Sequence, residues 1–115
     1  MKNYRMKVYN RSGAPISTEV FARRMEDKDY KIVKQERLWN GLRVSTVWLG
    51  IDHGYGHGRP LIFETMVFPG KSFRDMDMMR YATEAEALAG HARMRRRWIW
   101  WPRPVWRALN AWRQR

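Results

Sequence analysis

The run at residues 44–68, VSTVWLGIDHGYGHGRPLIFETMVF, limits the folds open to this chain more than any other stretch. It holds two β-rich segments around a glycine-rich turn, and just before it Trp39-Asn40-Gly41-Leu42 carries the Asn-Gly signature of a two-residue hairpin. Residues 30–38, 43–51 and 61–68 are therefore expected as consecutive antiparallel strands. Around them, residues 4–9 alternate with period 2, Ser12-Gly13-Ala14-Pro15 supplies turn chemistry, and residues 78–81 read as a short edge strand. Ser17 or Thr18 is placed to cap a helix through about Glu26, with Ile16 as its staple and Val20, Phe21 and Met25 on one face. Thr83-Glu84-Ala85-Glu86 is a capping box ahead of an alanine-rich helix to about Arg97, which Gly90 weakens slightly. The expectation is an α+β domain: a small antiparallel sheet of about four to five strands, two helices and a basic, Trp-rich C-terminal helical tail.

Register follows from the loop. A two-residue Asn40-Gly41 turn sets Val33 opposite Trp48, Gln35 opposite Thr46 and Arg37 opposite Val44. If the chain between Asp52 and Pro60 closes without a bulge, Trp48 in turn faces Glu64. One face then carries Tyr30, Ile32, Leu38, Val47, Leu49, Ile51, Leu61, Phe63 and Val67 and is expected under the helices. The other carries Gln35, Arg37, Thr46, Trp48, Asp52, Glu64 and Met66, a mixed surface suited to a ligand or a partner subunit. A single bulge slips these assignments by one residue.

Charge divides the chain. Residues 1–86 carry 15 Lys+Arg and all 11 Asp+Glu, whereas residues 87–115 carry 8 Arg and no acid, for a net charge of +12. A single domain over residues 1–97 followed by an Arg/Trp-rich tail over residues 98–115 is the natural division. Such a chain is drawn to anions. In the tail, Trp98, Trp101, Arg103, Arg107 and Trp112 suit stacking and phosphate contact on single-stranded nucleic acid, or an interfacial position on anionic lipid. The spacing of Val105, Leu109 and Trp112 equally suits a helix packed on the body or on another subunit. With no cysteine, the chain has no disulfide, thiolate nucleophile or Cys-based zinc site. No apolar run approaches the roughly 20 residues of a membrane span, and MKNYRMKVYN lacks an apolar signal segment, so a cytoplasmic, or membrane-peripheral, location is expected.

The polar chemistry clusters in the central run. Asp52 and His53 offer a general acid/base pair, or with His57 part of a metal site, against hydrogen-bonding and turn roles. Glu64 sits among apolar neighbours, where a buried carboxylate requires a cation or several donors. Trp48 is a core residue or a stacking platform, and His91 a packing or helix-end histidine. The GYGHG glycines lead through Arg59-Pro60 into a strand, which is neither a Walker loop nor a dinucleotide fingerprint, so no cofactor is expected. No dyad or metal set converges, and catalysis ranks behind binding. The favoured reading is capture of an anionic, nucleotide-like ligand: Trp48 stacks, Glu64 reads donor edges, Arg37 or Arg59 holds phosphate, and Asp52 and His53 lie beside them. The alternative is attachment to nucleic acid or a membrane through the tail. A homo-oligomer is expected.

The segment STVWLGIDHGYGHGRPLIFETMVF, with YNRSGAPIS upstream and YATEAEALAGH downstream, resembles a family of small uncharacterised proteins found in bacteriophages and prophages. The resemblance spans roughly residues 7–92 and stops before the tail, and the His-containing turn at residues 54–59 departs from the family form. It implies a phage setting in the host cytoplasm, where small accessory proteins act on host processes, antiviral defence among them.

Overall fold

Alternation and turn chemistry build the sheet. The computed structural model describes residues 6–54, 56 and 58–102. Strands β3 (Ile32–Arg37), β4 (Leu42–Trp48), β5 (Phe63–Pro69) and β6 (Asp77–Tyr81) form a four-stranded antiparallel sheet in that order. A two-stranded ribbon of β1 (Val8–Tyr9) and β2 (Pro15–Ile16) precedes it, and Val8 also bridges to Ile51. Three helices complete the α+β fold: α1 (Thr18–Glu26), the single turn α2 (Lys28–Lys31) and α3 (Glu84–Trp98). The expected order of the three central strands holds. The expected tail helix lies outside the described residues.

Helix ends follow the capping residues. Ser17 accepts from Val20 N at the start of α1, and Thr83 accepts from Glu86 N at the start of α3. Asp27 ends α1 and at once caps α2, accepting from the Asp29 and Tyr30 N–H groups.

Register is where the sequence expectation fails. Leu38 N donates to Leu42 O, and Gly41, at φ 88°, donates to Leu38 O, so the hairpin loop is Trp39-Asn40-Gly41 rather than two residues. Pairing slips by one: Gln35 lies opposite Ser45 and Arg37 opposite Arg43. A further irregularity between Ile32 and Lys34 releases Val33 to pack with the Trp48 cluster. In the next pair Trp48 faces Phe63, and Glu64 faces Val47. Because side chains alternate, the slip turns Thr46 and Trp48 to the helix-covered face and leaves Glu64 and Met66 on the other.

Two apolar clusters fill the covered side. Leu38, Leu42, Val44, Val67 and Met94 form one, with Trp98, Ile99 and Trp101 packed against it. Trp48, Ile62, Phe63, Tyr81 and Ala87 form the other, closed by Phe21, Met25 and Tyr30 from the α1–α2 segment. The body's packing thus runs through Trp101, past the expected boundary at residue 97. No described helix is long and apolar enough to cross a membrane.

Candidate ligand-binding site

The residues expected to form one site are dispersed. Trp48 is 1% exposed, donates to Tyr9 O at 3.0 Å, and meets Tyr30 edge-on with ring centroids 4.9 Å apart, so its faces are used by the core. Glu64, 7% exposed on the opposite sheet face, accepts from Arg80 at 3.0 Å across the β5–β6 pair. Asp52 accepts backbone N–H groups of Leu61 at 2.9 Å, Gly54 at 2.7 Å and Gly56 at 3.2 Å, and these bonds hold its carboxyl below the usual range. It is the clasp of the glycine-rich loop. His53 folds back onto Ile51 O at 2.8 Å, and His57 lies outside the described residues. Arg59 forks onto Glu86 at 2.6 and 3.1 Å, so its charge is already matched.

A buried polar chain that the sequence reading missed runs between α3 and the sheet. Glu36 bonds His91 Nε2 at 2.7 Å, His91 Nδ1 bonds Thr46 Oγ1 at 2.7 Å, and Thr46 bonds Thr65 Oγ1 at 2.6 Å. A carboxylate only accepts, so Nε2 carries the proton; Nδ1 of the neutral ring then accepts from Thr46, which accepts from Thr65. Burial pushes His91 below its ordinary value despite the opposing pull of Glu36. Glu36 is raised by burial, but the bonds from His91 and Arg95 outweigh that and keep it below the usual carboxylate range. Carboxylate, imidazole and hydroxyl stand in the order of a nucleophile triad, yet Thr46 and Thr65 are 0% exposed and line none of the described cavities. The chain satisfies buried polar atoms and locks α3 onto the sheet.

The register slip creates the strongest candidate for an anion site among the described residues. Arg37 and Arg43 are cross-strand neighbours on the uncovered face, where like charges directly opposite repel unless an anion lies between. Arg43 donates through Nε to Gly70 O at 2.8 Å and through Nη2 to Ser72 O at 2.9 Å, and its guanidinium lies over the Phe68 ring. Those bonds pin the turn after β5 so that Lys71 and Phe73 come beside the two arginines. The four residues line a cleft of about 390 Å³, and Phe73 is 91% exposed. Its described lining holds three cations, one aromatic face and no carboxylate. A cavity of about 410 Å³ beside Arg23 and Arg24 includes the Asp27 carboxylate, and one of about 190 Å³ includes Arg59, already paired with Glu86. Of the expected ligand residues, only Arg37 reaches the cleft. Arg43 and Lys71 carry no motif in the sequence; only the true register places them together.

The described part of the tail is built into the body. Asn40 donates to Trp98 O at 3.0 Å and Trp101 O at 2.7 Å, Trp39 Nε1 donates to Ile99 O at 2.6 Å, and Trp98 Nε1 donates to Asp77 at 2.9 Å. Trp98 and Trp101 are thus packing residues in this structure rather than parts of a separate tail, while Arg103, Arg107 and Trp112 lie outside the described residues. Among the described residues no group of three His, Asp or Glu is placed to hold a metal ion. Compared with known proteins, the chain matches no family model, no curated protein and no solved structure.

Proposed function

We propose that this protein is a non-enzymatic binder of an anionic, nucleotide-like ligand, seated in the cleft of Arg37, Arg43, Lys71 and Phe73. The carrying observation is the meeting of three cations with an exposed ring and no lining carboxylate. Arg37 and Lys71 supply phosphate contacts, Arg43 offers N–H groups beyond the two it spends on the loop, and the face of Phe73 stacks on a base. Every acid of the chain falls within the described residues, and Glu36, Asp52, Glu64, Asp77, Glu84 and Glu86 are all bonded elsewhere. In the phage setting that the family resemblance implies, such a protein would withhold a signalling nucleotide from host antiviral defence in the host cytoplasm.

Calorimetric titration against a panel of cyclic and linear nucleotides tests the reading. Phe73→Ala removes only exposed surface, and base stacking of about 1–3 kcal/mol predicts roughly a 5- to 150-fold loss of affinity for nucleotides with none for inorganic polyphosphate. Arg37→Gln weakens both. No nucleotide binding by the intact protein at roughly 500 μM ligand, a concentration that half-fills even a site of only about −4.5 kcal/mol, defeats the proposal.

A further inference from the structure

The outer face of α3 carries a second pattern, unrelated to the cleft. At 3.6 residues per turn, Ala87, Gly90, His91, Met94 and Trp98 point to the sheet, with the first four fully buried. The two flanking arginines are tied to the body, Arg95 to Glu36 at 3.1 Å and Arg97 to Asp77 at 2.7 Å. The remaining arc holds Leu88, Ala89, Ala92, Arg93 and Arg96, and the backbone continues in helical conformation at Ile99 to bring Trp100 one turn beyond Arg96. Leu88 is 43% exposed and Trp100 83%. Among the described residues no carboxylate is bonded to Arg93 or Arg96, and past Glu86 the sequence has no Asp or Glu. Residues 103–115 follow directly with four more arginines and two tryptophans.

From this face the geometry points to a site for an anionic phospholipid surface, with α3 lying in the plane of the interface. An in-plane helix needs apolar side chains that enter the acyl boundary and cations that meet phosphate beside them, and on this face Leu88 and Trp100 flank Arg93 and Arg96. Indole suits headgroup depth because its ring is apolar and its N–H still finds a polar partner. A nucleic-acid strand is the poorer occupant. Stacking platforms for bases line a positively charged groove, whereas this face is the convex side of a helix, and Trp100 lines none of the cavities described above.

Flotation of the full chain with vesicles tests the assignment, comparing phosphatidylcholine alone with phosphatidylcholine containing roughly 30% phosphatidylglycerol, near physiological and at about 0.5 M salt. Binding is expected only to the anionic vesicles, and to fall at high salt. Removing both charges in Arg93→Gln/Arg96→Gln is expected to weaken it about 30-fold, at roughly one surface cation's attraction each. Trp100→Ala is expected to weaken it at both salt concentrations, since its contribution is apolar. Both variants alter exposed side chains, and unchanged circular dichroism confirms that they fold. Equal binding to neutral vesicles, no vesicle binding at all, or variants that bind like the parent would each overturn the assignment, the last by passing the role to the residues that follow. So would tighter binding to a single-stranded oligonucleotide that is lost in the same two variants.

Discussion

Gly90→Ala gives the sharpest test of how α3 is seated. In an exposed helix this change stabilises by about 1 kcal/mol, because glycine gives up more backbone freedom than alanine. Here a Cβ on residue 90 would stand 2.0 Å from the Tyr81 hydroxyl oxygen, 2.1 Å from Cζ and 2.2 Å from Cε1. Tyr81 is 5% exposed and closes one end of β6 against the core, so its ring is not free to swing into solvent. Carbon atoms rest about 3.5–4.0 Å apart, so helix or ring must move by more than about 1 Å. The next residue, His91, is held by bonds of 2.7 Å on both ring nitrogens, which resists a helix shift. Overpacking costs about 1–3 kcal/mol, and with the histidine chain strained the upper end applies; after the propensity gain the net loss is about 2 kcal/mol. Urea denaturation followed by far-ultraviolet circular dichroism reads this directly. In a Tyr81→Leu background, which removes the colliding atoms, the same change should turn neutral or stabilising, a coupling of about 2–3 kcal/mol. A Gly90→Ala protein as stable as the parent would refute the close approach of α3 to β6.

The remaining expectations concern the histidine chain and the docked turn. His91 sits below its ordinary value chiefly through burial, so as pH drops beneath about 6.5 the unfolded chain takes up a proton that the folded one refuses. Stability should therefore fall toward pH 5 with a slope of up to about 1.4 kcal/mol per pH unit, and His91→Gln should flatten that slope in urea midpoints; equal slopes would remove the assignment of a neutral ring. A separate loss below about pH 4.5 is expected from Glu36, Asp52 and Asp77, all held below the usual carboxylate range. Asn40→Ala deletes donations to Trp98 O and Trp101 O and the acceptor for Leu42 N, and should cost about 2–3 kcal/mol with faster amide exchange near Trp101. Ending the chain after Pro102 should leave cooperative unfolding intact, whereas ending it after Arg97 strips Trp98, Ile99 and Trp101 from the core and should cost about 3–5 kcal/mol. Equal stability of the two truncations would disprove the docking.

Local chemistry was legible in the sequence. The alternating runs, the Asn-Gly turn, and the caps at Ser17 and Thr83 each depend on a few adjacent residues, and they led to the consecutive antiparallel strands and to α1 and α3 as found. Of the roles the sequence offered Asp52, the turn role is the one its bonds fill, with partners that lie within nine positions along the chain. Register belonged to tertiary structure: Asn-Gly is compatible with both a two-residue and a three-residue loop, and one extra residue exchanges the two faces of the strand that follows it, here β4, before a second slip of one restores β5. That exchange took Trp48 into the core, parted it from Glu64, and set Arg37 beside Arg43. Gly90 looked like a weak point in a helix because propensity is a local quantity, while its worth lies in the approach of Tyr81, nine residues earlier and in another element. Likewise Glu36, Thr46, Thr65 and His91 bear no mutual signal in the sequence, since they come from four separate elements and only the packing of α3 on the sheet makes them one hydrogen-bonded chain.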